Sequence, residues 1–217
     1  MTGFPTDSPS TDGRVLRGEE TRRAVLRRAV EVASVEGLGA LSIGRLATDL
    51  GLSKSGVFAT FGSKEELQLA AVRAARRIFF DAVVAPAQGV GPGLGQVWAL
   101  YGGWLEYSRA RVFPGGCFFY AVNAEFDARP GPVRDLLAVC AREWEATILQ
   151  SLSGARAAGG LRAGVDLDQL AFALVGYLEA ANSQALLFGE DRPYDLAARA
   201  ALSLLRAEAA DPSQLPG

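Results

Sequence analysis

The chain has 217 residues, and 49% of them are hydrophobic before its 25 glycines are counted, so it can bury more than one core. It contains no histidine and only two cysteines, which excludes Ser-His-Asp triads, Cys-His pairs and histidine-based metal sites. We expect neither a metal nor a cofactor. Residues 1–77 carry 12 Lys or Arg against 9 Asp or Glu, and residues 78–217 carry 10 against 15, so a nucleic-acid partner is expected only for the first part.

Residues 1–18 are rich in Ser, Thr, Pro, Gly and Asp and lack the apolar stretch of a signal peptide, which predicts a disordered arm. The longest clean apolar run, Leu170 to Leu178, is less than half of the roughly 20 residues that a membrane span needs. We therefore expect a cytoplasmic protein with no membrane partner. Cys117 and Cys140 are expected to be reduced core residues, and a redox role for them stays open.

Apolar residues at helical spacing predict a first helix over residues 19–37, with four arginines on the opposite face. Ser42 is expected to cap a short helix that ends at Gly51, and Ser53 to cap a second one. Two short helices joined by a glycine turn are typical of a helix-turn-helix.

The capping box Ser63-Lys64-Glu65-Glu66 begins a long helix that is predicted to end at Pro86. The stretch PAQGVGPGLG, residues 86–95, is interpreted as a joint and lacks the lysine of a phosphate-binding loop. Proline and glycine breakers then divide the remainder into five predicted helices, at roughly 96–112, 117–127, 132–153, 166–189 and 194–209. The predicted fold class is all-α.

The stretch LSIGRLATDLGLSKSGVFATFGSKEEL, Leu41 to Leu67, resembles the DNA-binding signature of the TetR family of transcriptional regulators. The segment FPGGCFFYAVNAEFDARPGPVRDLL resembles, less specifically, ligand-binding domains of that family. The resemblance implies a nine-helix TetR-like architecture and a homodimeric regulator of double-stranded DNA rather than an enzyme. Its expected parts are a disordered arm (1–18), a helix-turn-helix domain (19–66), a connecting helix (67–85) and a ligand-binding and dimerisation domain (86–217).

A recognition helix needs a small or flexible N-terminus to reach base edges, and Lys54 can reach a guanine or a phosphate. Lys64 and Ser42, at the starts of the flanking helices, are expected to hold phosphates. Phe58, expected to pack inward, and Thr60 stand where the family most often has tyrosine and histidine. The predicted DNA-binding residues are Ser42, Arg45, Ser53, Lys54, Ser55, Gly56, Phe58, Thr60 and Lys64, with Arg14 and Arg17 of the arm as candidates for an adjacent minor groove.

Residues 96–190 are unusually aromatic, and the equivalent domain of the family encloses an apolar cavity. A small apolar or aromatic effector is therefore expected, with the two asparagines of the predicted lining orienting it. The predicted lining residues are Trp104, Phe118, Asn123, Trp144, Tyr177 and Asn182. The last two helices are apolar on more than one face, which predicts the four-helix dimer interface that the family uses.

Two other functions stay open. A ligand-free DNA-organising or protein-docking helix-turn-helix protein would use the second half of the chain only as a dimer core or as a docking surface. An enzyme would have to rely on carboxylates or on a cysteine, because histidine is absent. The resemblance favours a repressor that leaves DNA when it binds its effector.

Overall fold

The computed structural model describes residues 10–216, which form helices joined by short turns and one isolated antiparallel bridge, Leu161 with Ala209. Helix α1 (Ser10–Glu36) leads through a 3₁₀ turn (Leu38–Ala40) to α2 (Ile43–Asp49) and α3 (Lys54–Phe61). These three helices form the N-terminal unit, and their apolar stripes meet in one buried core. The arrangement is the predicted helix-turn-helix.

Helix α4 (Lys64–Phe79) continues through a π-helical turn (Phe80–Val84) into a last α-helical turn (Ala85–Gln88). It therefore passes Pro86, where the sequence predicted its end. Pro86 lies in the first turn of the last segment, where a missing backbone N–H is tolerated because the π turn has already changed the hydrogen-bond register. Helix α4 consequently reaches into the second half of the molecule.

Five helices complete the described chain, and they lie close to the five segments that the breakers predicted. They are α5 (Leu94–Arg109), α6 (Phe118–Phe126), α7 (Pro132–Ala157), α8 (Leu167–Phe188) and α9 (Arg192–Glu208). Counting α4 with its extension as one helix, residues 10–216 contain nine α-helices, so the all-α prediction is confirmed over that range.

The first helix begins earlier than the sequence predicted. Helix α1 starts at Ser10, so residues 10–18 are helical rather than a disordered arm, and residues 1–9 lie outside the described residues. Gly13 and Gly18 each lower helix propensity by about 1 kcal/mol, but adding a residue to an existing helix costs far less than nucleating one. The backbone of Arg14 and Arg17 therefore belongs to α1 and not to an extended arm.

A buried chain of hydrogen bonds joins distant elements of the second half. Asn182 of α8 is fully buried, and its Oδ1 accepts from Ser108 Oγ (2.8 Å) and from the backbone N–H of Cys117 (2.9 Å). Ser108 Oγ is also hydrogen-bonded to the Tyr194 hydroxyl (2.8 Å). The Arg111 guanidinium donates to the same hydroxyl (3.1 Å). Because buried polar groups need partners, these hydrogen bonds fix α5, α8, α9 and the turn before α6 relative to one another.

Helices α8 and α9 leave large apolar side chains on the surface. Phe172 is 78% exposed, Leu187 79% and Phe188 60%, and Leu196 of α9 adds to them. Among the described helices, only α8 is also long and apolar enough to cross a membrane, a test that core helices of soluble proteins pass as well. Exposed apolar side chains of this size on two neighbouring helices favour an interaction surface there.

Candidate functional site

Helix α3 presents a small, polar N-terminus to solvent. Ser53 Oγ accepts a hydrogen bond from the backbone N–H of Gly56 (3.1 Å) and so caps the helix. Lys54, Ser55 and Gly56 are exposed, whereas Val57 is buried in the core of the N-terminal unit. A helix end with short exposed side chains and one flexible cation can approach base edges in a major groove.

Phe58 lies on the outer face of α3, so the prediction that it packs inward is wrong. Its side chain is 55% exposed, while Val57 and Phe61 are buried. Because Val57 and Phe61 are four residues apart, they share the inner face, and Phe58 is turned about 100° away from it. The Thr60 hydroxyl donates to the Gly56 carbonyl (3.0 Å) and is therefore engaged inside the helix. Phe58 is left free for an apolar contact such as a thymine methyl.

Ser42, Arg45 and Lys64 surround the turn that precedes α2. Ser42 Oγ accepts from the backbone N–H of Arg45 (3.1 Å), and the Arg45 guanidinium pairs with both carboxylate oxygens of Glu36 (2.6 and 2.7 Å). Hydrogen bonding from Arg45 lowers the pKa of the Glu36 carboxyl. Lys64 Nζ donates to the Gly39 carbonyl (2.5 Å) and is exposed. Arg45 is thus engaged by Glu36, whereas Lys64 retains donors for a phosphate.

A cavity of about 880 Å³ lies in the second half of the molecule, with walls from α4, α5, α6, α7 and α8. Phe79 of α4 is at the centre of its aromatic wall. The Phe79 ring meets those of Tyr107, Phe119 and Trp144 edge to face, at centroid distances of 5.4, 5.9 and 5.2 Å. Of the 26 lining residues, seven are aromatic and seven are charged. A concave cavity of this size is typical of a small-molecule site.

Three of the six predicted lining residues contact this cavity, namely Trp104, Asn123 and Trp144. Phe118 is instead fully buried and packs on the rings of Phe113 and Phe119 (5.8 and 5.3 Å), so it belongs to the core. Asn182 is occupied by the buried hydrogen bonds to Ser108 and Cys117. Tyr177 is 37% exposed on α8 and is not part of the cavity wall.

Sequence reasoning missed the wall that α4 contributes, and on α8 it selected Tyr177 and Asn182 instead of the residues that line the cavity. Phe79 and Phe80 of α4, and Phe172 and Glu179 of α8, line the cavity. The signal that could have shown this role of α4 was the pair of adjacent phenylalanines, Phe79 and Phe80, near its end. A helix that only connects two domains does not need two large apolar side chains there. Partial burial raises the pKa of the Glu179 carboxyl, which has no ion pair among the described residues.

Two family models match the chain. The model described as "Bacterial regulatory proteins, tetR family" matches residues 25–71, and the model described as "Tetracyclin repressor-like, C-terminal domain" matches residues 93–201, half of the chain. The chain belongs to the TetR family. Members of this family are DNA-binding transcription regulators rather than enzymes. No curated protein matches the chain in sequence.

The TetR fold of the chain also matches solved structures. A TetR regulator from Chloroflexus aurantiacus J-10-FL is 25% identical, with a TM-score of 0.83 over 89% of this chain and 98% of that one. A transcriptional regulator from Saccharomonospora viridis, solved with choline, is 20% identical, with a TM-score of 0.76 over 89% and 99%. AibR, solved with isovaleryl coenzyme A and operator DNA, is 18% identical, with a TM-score of 0.61 over 75% and 86%. At these identities the last two show the fold alone.

Cys117 and Cys140 are free thiols in the wall of the TetR cavity. Burial raises the pKa of the Cys117 thiol to about 11 and also raises the pKa of Cys140. Because the thiolate is the reactive form, we predict that iodoacetamide at neutral pH modifies Cys117 at about one hundredth of its rate in the unfolded chain, and Cys140 more slowly than in the unfolded chain. The rate should rise as the pH approaches the raised pKa. Timed alkylation followed by mass spectrometry measures it, and rapid modification of the folded protein would contradict the prediction.

Proposed function

We propose that the chain is a homodimeric, ligand-responsive repressor that binds a palindromic DNA operator and leaves it when a small apolar or aromatic effector enters the cavity. The observation that carries the proposal is an exposed, capped helix α3 in the same chain as a cavity of about 880 Å³ with aromatic rings in its wall. In this proposal residues 19–66 bind DNA, residues 67–85 connect, and residues 86–217 bind ligand and dimerise. The protein acts in the cytoplasm.

The exposed apolar side chains of α8 and α9 support the homodimer. Phe172, Leu187 and Phe188 would be costly to leave in water, and a second copy of the same two helices buries them in a four-helix interface. A dimer places two α3 helices in successive major grooves, about 34 Å apart on one face of the DNA. This spacing is the reason for a palindromic operator.

The cavity wall supports an effector with an apolar or aromatic body. Trp104 and Trp144 offer ring surfaces, and Asn123 Oδ1 is buried without a hydrogen-bond partner in the described chain. We propose that Asn123 orients the effector through this unused group. The two structural relatives solved with choline and with isovaleryl coenzyme A hold a cation and an acyl thioester, so the lining residues rather than the fold select the ligand.

Replacing Lys54 by alanine is expected to weaken operator binding by about 1–3 kcal/mol and to reduce the salt dependence of binding by about one ion, because one contact to a base or phosphate is lost. Arg156→Ala is the control, since Arg156 is an exposed cation near the end of α7. Fluorescence anisotropy of labelled DNA across a salt series measures both quantities. Equal affinity and equal salt slope for Lys54→Ala and the unmodified protein would remove Lys54 from the interface.

The proposal is tested by binding of the full-length protein to genomic fragments, beginning with the DNA upstream of its own gene. Salt-sensitive, sequence-selective binding with protection of a palindrome is the expected result. Weak binding that is equal on all sequences would instead favour the DNA-organising protein. The lack of selectivity would then be explained by the Thr60 hydroxyl and the Arg45 guanidinium, which are hydrogen-bonded within the protein and not free to bind DNA.

A further inference from the structure

The turn between α1 and α2 is held by two other helices. The Gly39 N–H donates to Oε1 of Glu125 on α6 (2.9 Å), and the Gly39 carbonyl accepts from Lys64 Nζ on α4 (2.5 Å). Gln68 Nε2, also on α4, donates to the Leu38 carbonyl (2.8 Å). The position from which α2 starts is therefore set jointly by α4 and α6.

Two glycines make room for the Glu125 carboxylate. A Cβ on Gly39 would lie 2.5 Å from Oε1, and a Cβ on Gly37 would collide with Oε2. Gly37 also has a φ of 82°, which residues with a side chain rarely adopt. The Glu125 side chain is only 19% exposed, and its Oε2 is buried without a hydrogen-bond partner among the described residues. The contact is therefore a close fit at one position rather than a loose surface pair.

The helix that carries Glu125 also forms part of the cavity wall. Phe119, Tyr120 and Asn123 of α6 line the cavity. Asn123 and Glu125 are about 200° apart around the helix, so the cavity and the turn lie on opposite sides of α6. Helix α6 has nine residues and is about 13 Å long, so both faces belong to one short hydrogen-bonded helix. A displacement of the cavity side of this helix would also displace Glu125.

The start of α6 is fixed to α1 by a backbone contact. The Gly115 N–H donates to Ser34 Oγ (3.2 Å), and a Cβ on Gly115 would collide with the Ser34 backbone. Gly115 lies just before α6, whereas Glu125 lies near its end. A tilt of α6 about the Gly115 contact would change the Glu125–Gly39 hydrogen bond most.

We propose that Glu125 is a positioning residue, which transmits a change in the cavity to the recognition helix by holding or releasing the turn at Gly39. The inference rests on the proposed function, in which effector binding in the cavity changes the affinity for DNA. The engaged hydrogen bond keeps α2, and α3 packed on it, in the orientation that binds DNA. Its essential property is an acceptor at Oε1, because the nearest group is the neutral Gly39 N–H at 2.9 Å. The Arg129 guanidinium lies 3.5 Å from the same oxygen, but Arg129 is exposed and such a pair contributes little.

The first test compares Glu125→Ala with Glu125→Gln, which keeps the acceptor. Glu125→Ala is expected to speed amide hydrogen exchange over residues 37–49 by about tenfold or more, and to weaken DNA binding by a similar factor. Glu125→Gln should stay within about threefold of the unmodified protein in both measurements. Glu106→Ala, the same change at an exposed glutamate of α5, is the control and should alter neither.

The second test needs neither ligand nor DNA. Phe119→Ala removes a ring from the cavity wall, and it should change exchange over residues 37–49 in the unmodified protein but not in Glu125→Ala. Equal effects in both backgrounds, or unchanged exchange in Glu125→Ala, would overturn the inference. So would equal losses in Glu125→Ala and Glu125→Gln together with a general loss of thermal stability. If the exchange results hold but the unmodified protein binds no DNA selectively, the proposed function fails and the positioning role of Glu125 stands.

Discussion

Replacing Asn182 by alanine is expected to lower the free energy of unfolding by about 2–4 kcal/mol, because buried hydrogen-bond donors lose their acceptor. Asn182 Oδ1 accepts from Ser108 Oγ and from the backbone N–H of Cys117, and all of these groups are shielded from water. The Cys117 N–H cannot rotate towards another partner. Urea unfolding followed by circular dichroism measures the change.

Asn123→Ala is the matched control for Asn182→Ala. Asn123 lines the cavity, and its Oδ1 makes no hydrogen bond within the described residues, so its removal should cost less than about 1 kcal/mol. The two variants therefore separate a structural asparagine from one that faces the cavity. Equal stability of both variants would show that the buried hydrogen bonds of Asn182 contribute little to the free energy of unfolding.

Replacing Leu187 by aspartate is expected to convert the proposed homodimer to a monomer and to weaken operator binding by at least about 100-fold, because a monomer holds only one half-site. Leu187 is 79% exposed in the single chain, so the substitution should leave the fold of each protomer intact. Sedimentation velocity gives the oligomeric state, and anisotropy with the same DNA gives the affinity.

Val139→Asp is the control for Leu187→Asp. Val139 is 47% exposed on α7, outside α8 and α9, and the change introduces the same charge. It is expected to remain a dimer. A Leu187→Asp protein that sediments with the unmodified protein would place the dimer interface elsewhere on the molecule.

The N-terminal unit could be predicted because its signals are local in the sequence. Ser42, Ser53 and Ser63 each accept a hydrogen bond from the backbone N–H three residues further on, at 3.1, 3.1 and 3.0 Å. Such caps need no distant partner. The same reasoning placed the breaks between α5, α6, α7, α8 and α9, since proline and glycine act on the backbone beside them.

The roles of individual side chains depended on distant contacts, and there the sequence was less informative. Asn182 looks like a ligand-orienting group, but its Oδ1 is bound by Ser108 and Cys117, both far away in sequence, and the residue does not line the cavity. Phe58 follows the buried Val57 in the chain but faces outward, because Phe61 completes the inner face. The start of α1 was also misplaced, since the polar, Pro- and Gly-containing composition of residues 1–18 was given more weight than the helix that follows.

The lysines and cysteines of this protein are unevenly distributed. Lys54 and Lys64 are the only lysines in the chain and both are exposed at the N-terminal unit, whereas both thiols line the cavity. Helices α8 and α9 contain neither residue type. Acylation of a lysine would thus remove a positive charge at the proposed DNA contact, and modification of a thiol would distort the effector cavity. If the protein is the repressor proposed above, such chemical damage would leave the dimer assembled but weaken its binding to DNA, so the repressed genes would be expressed.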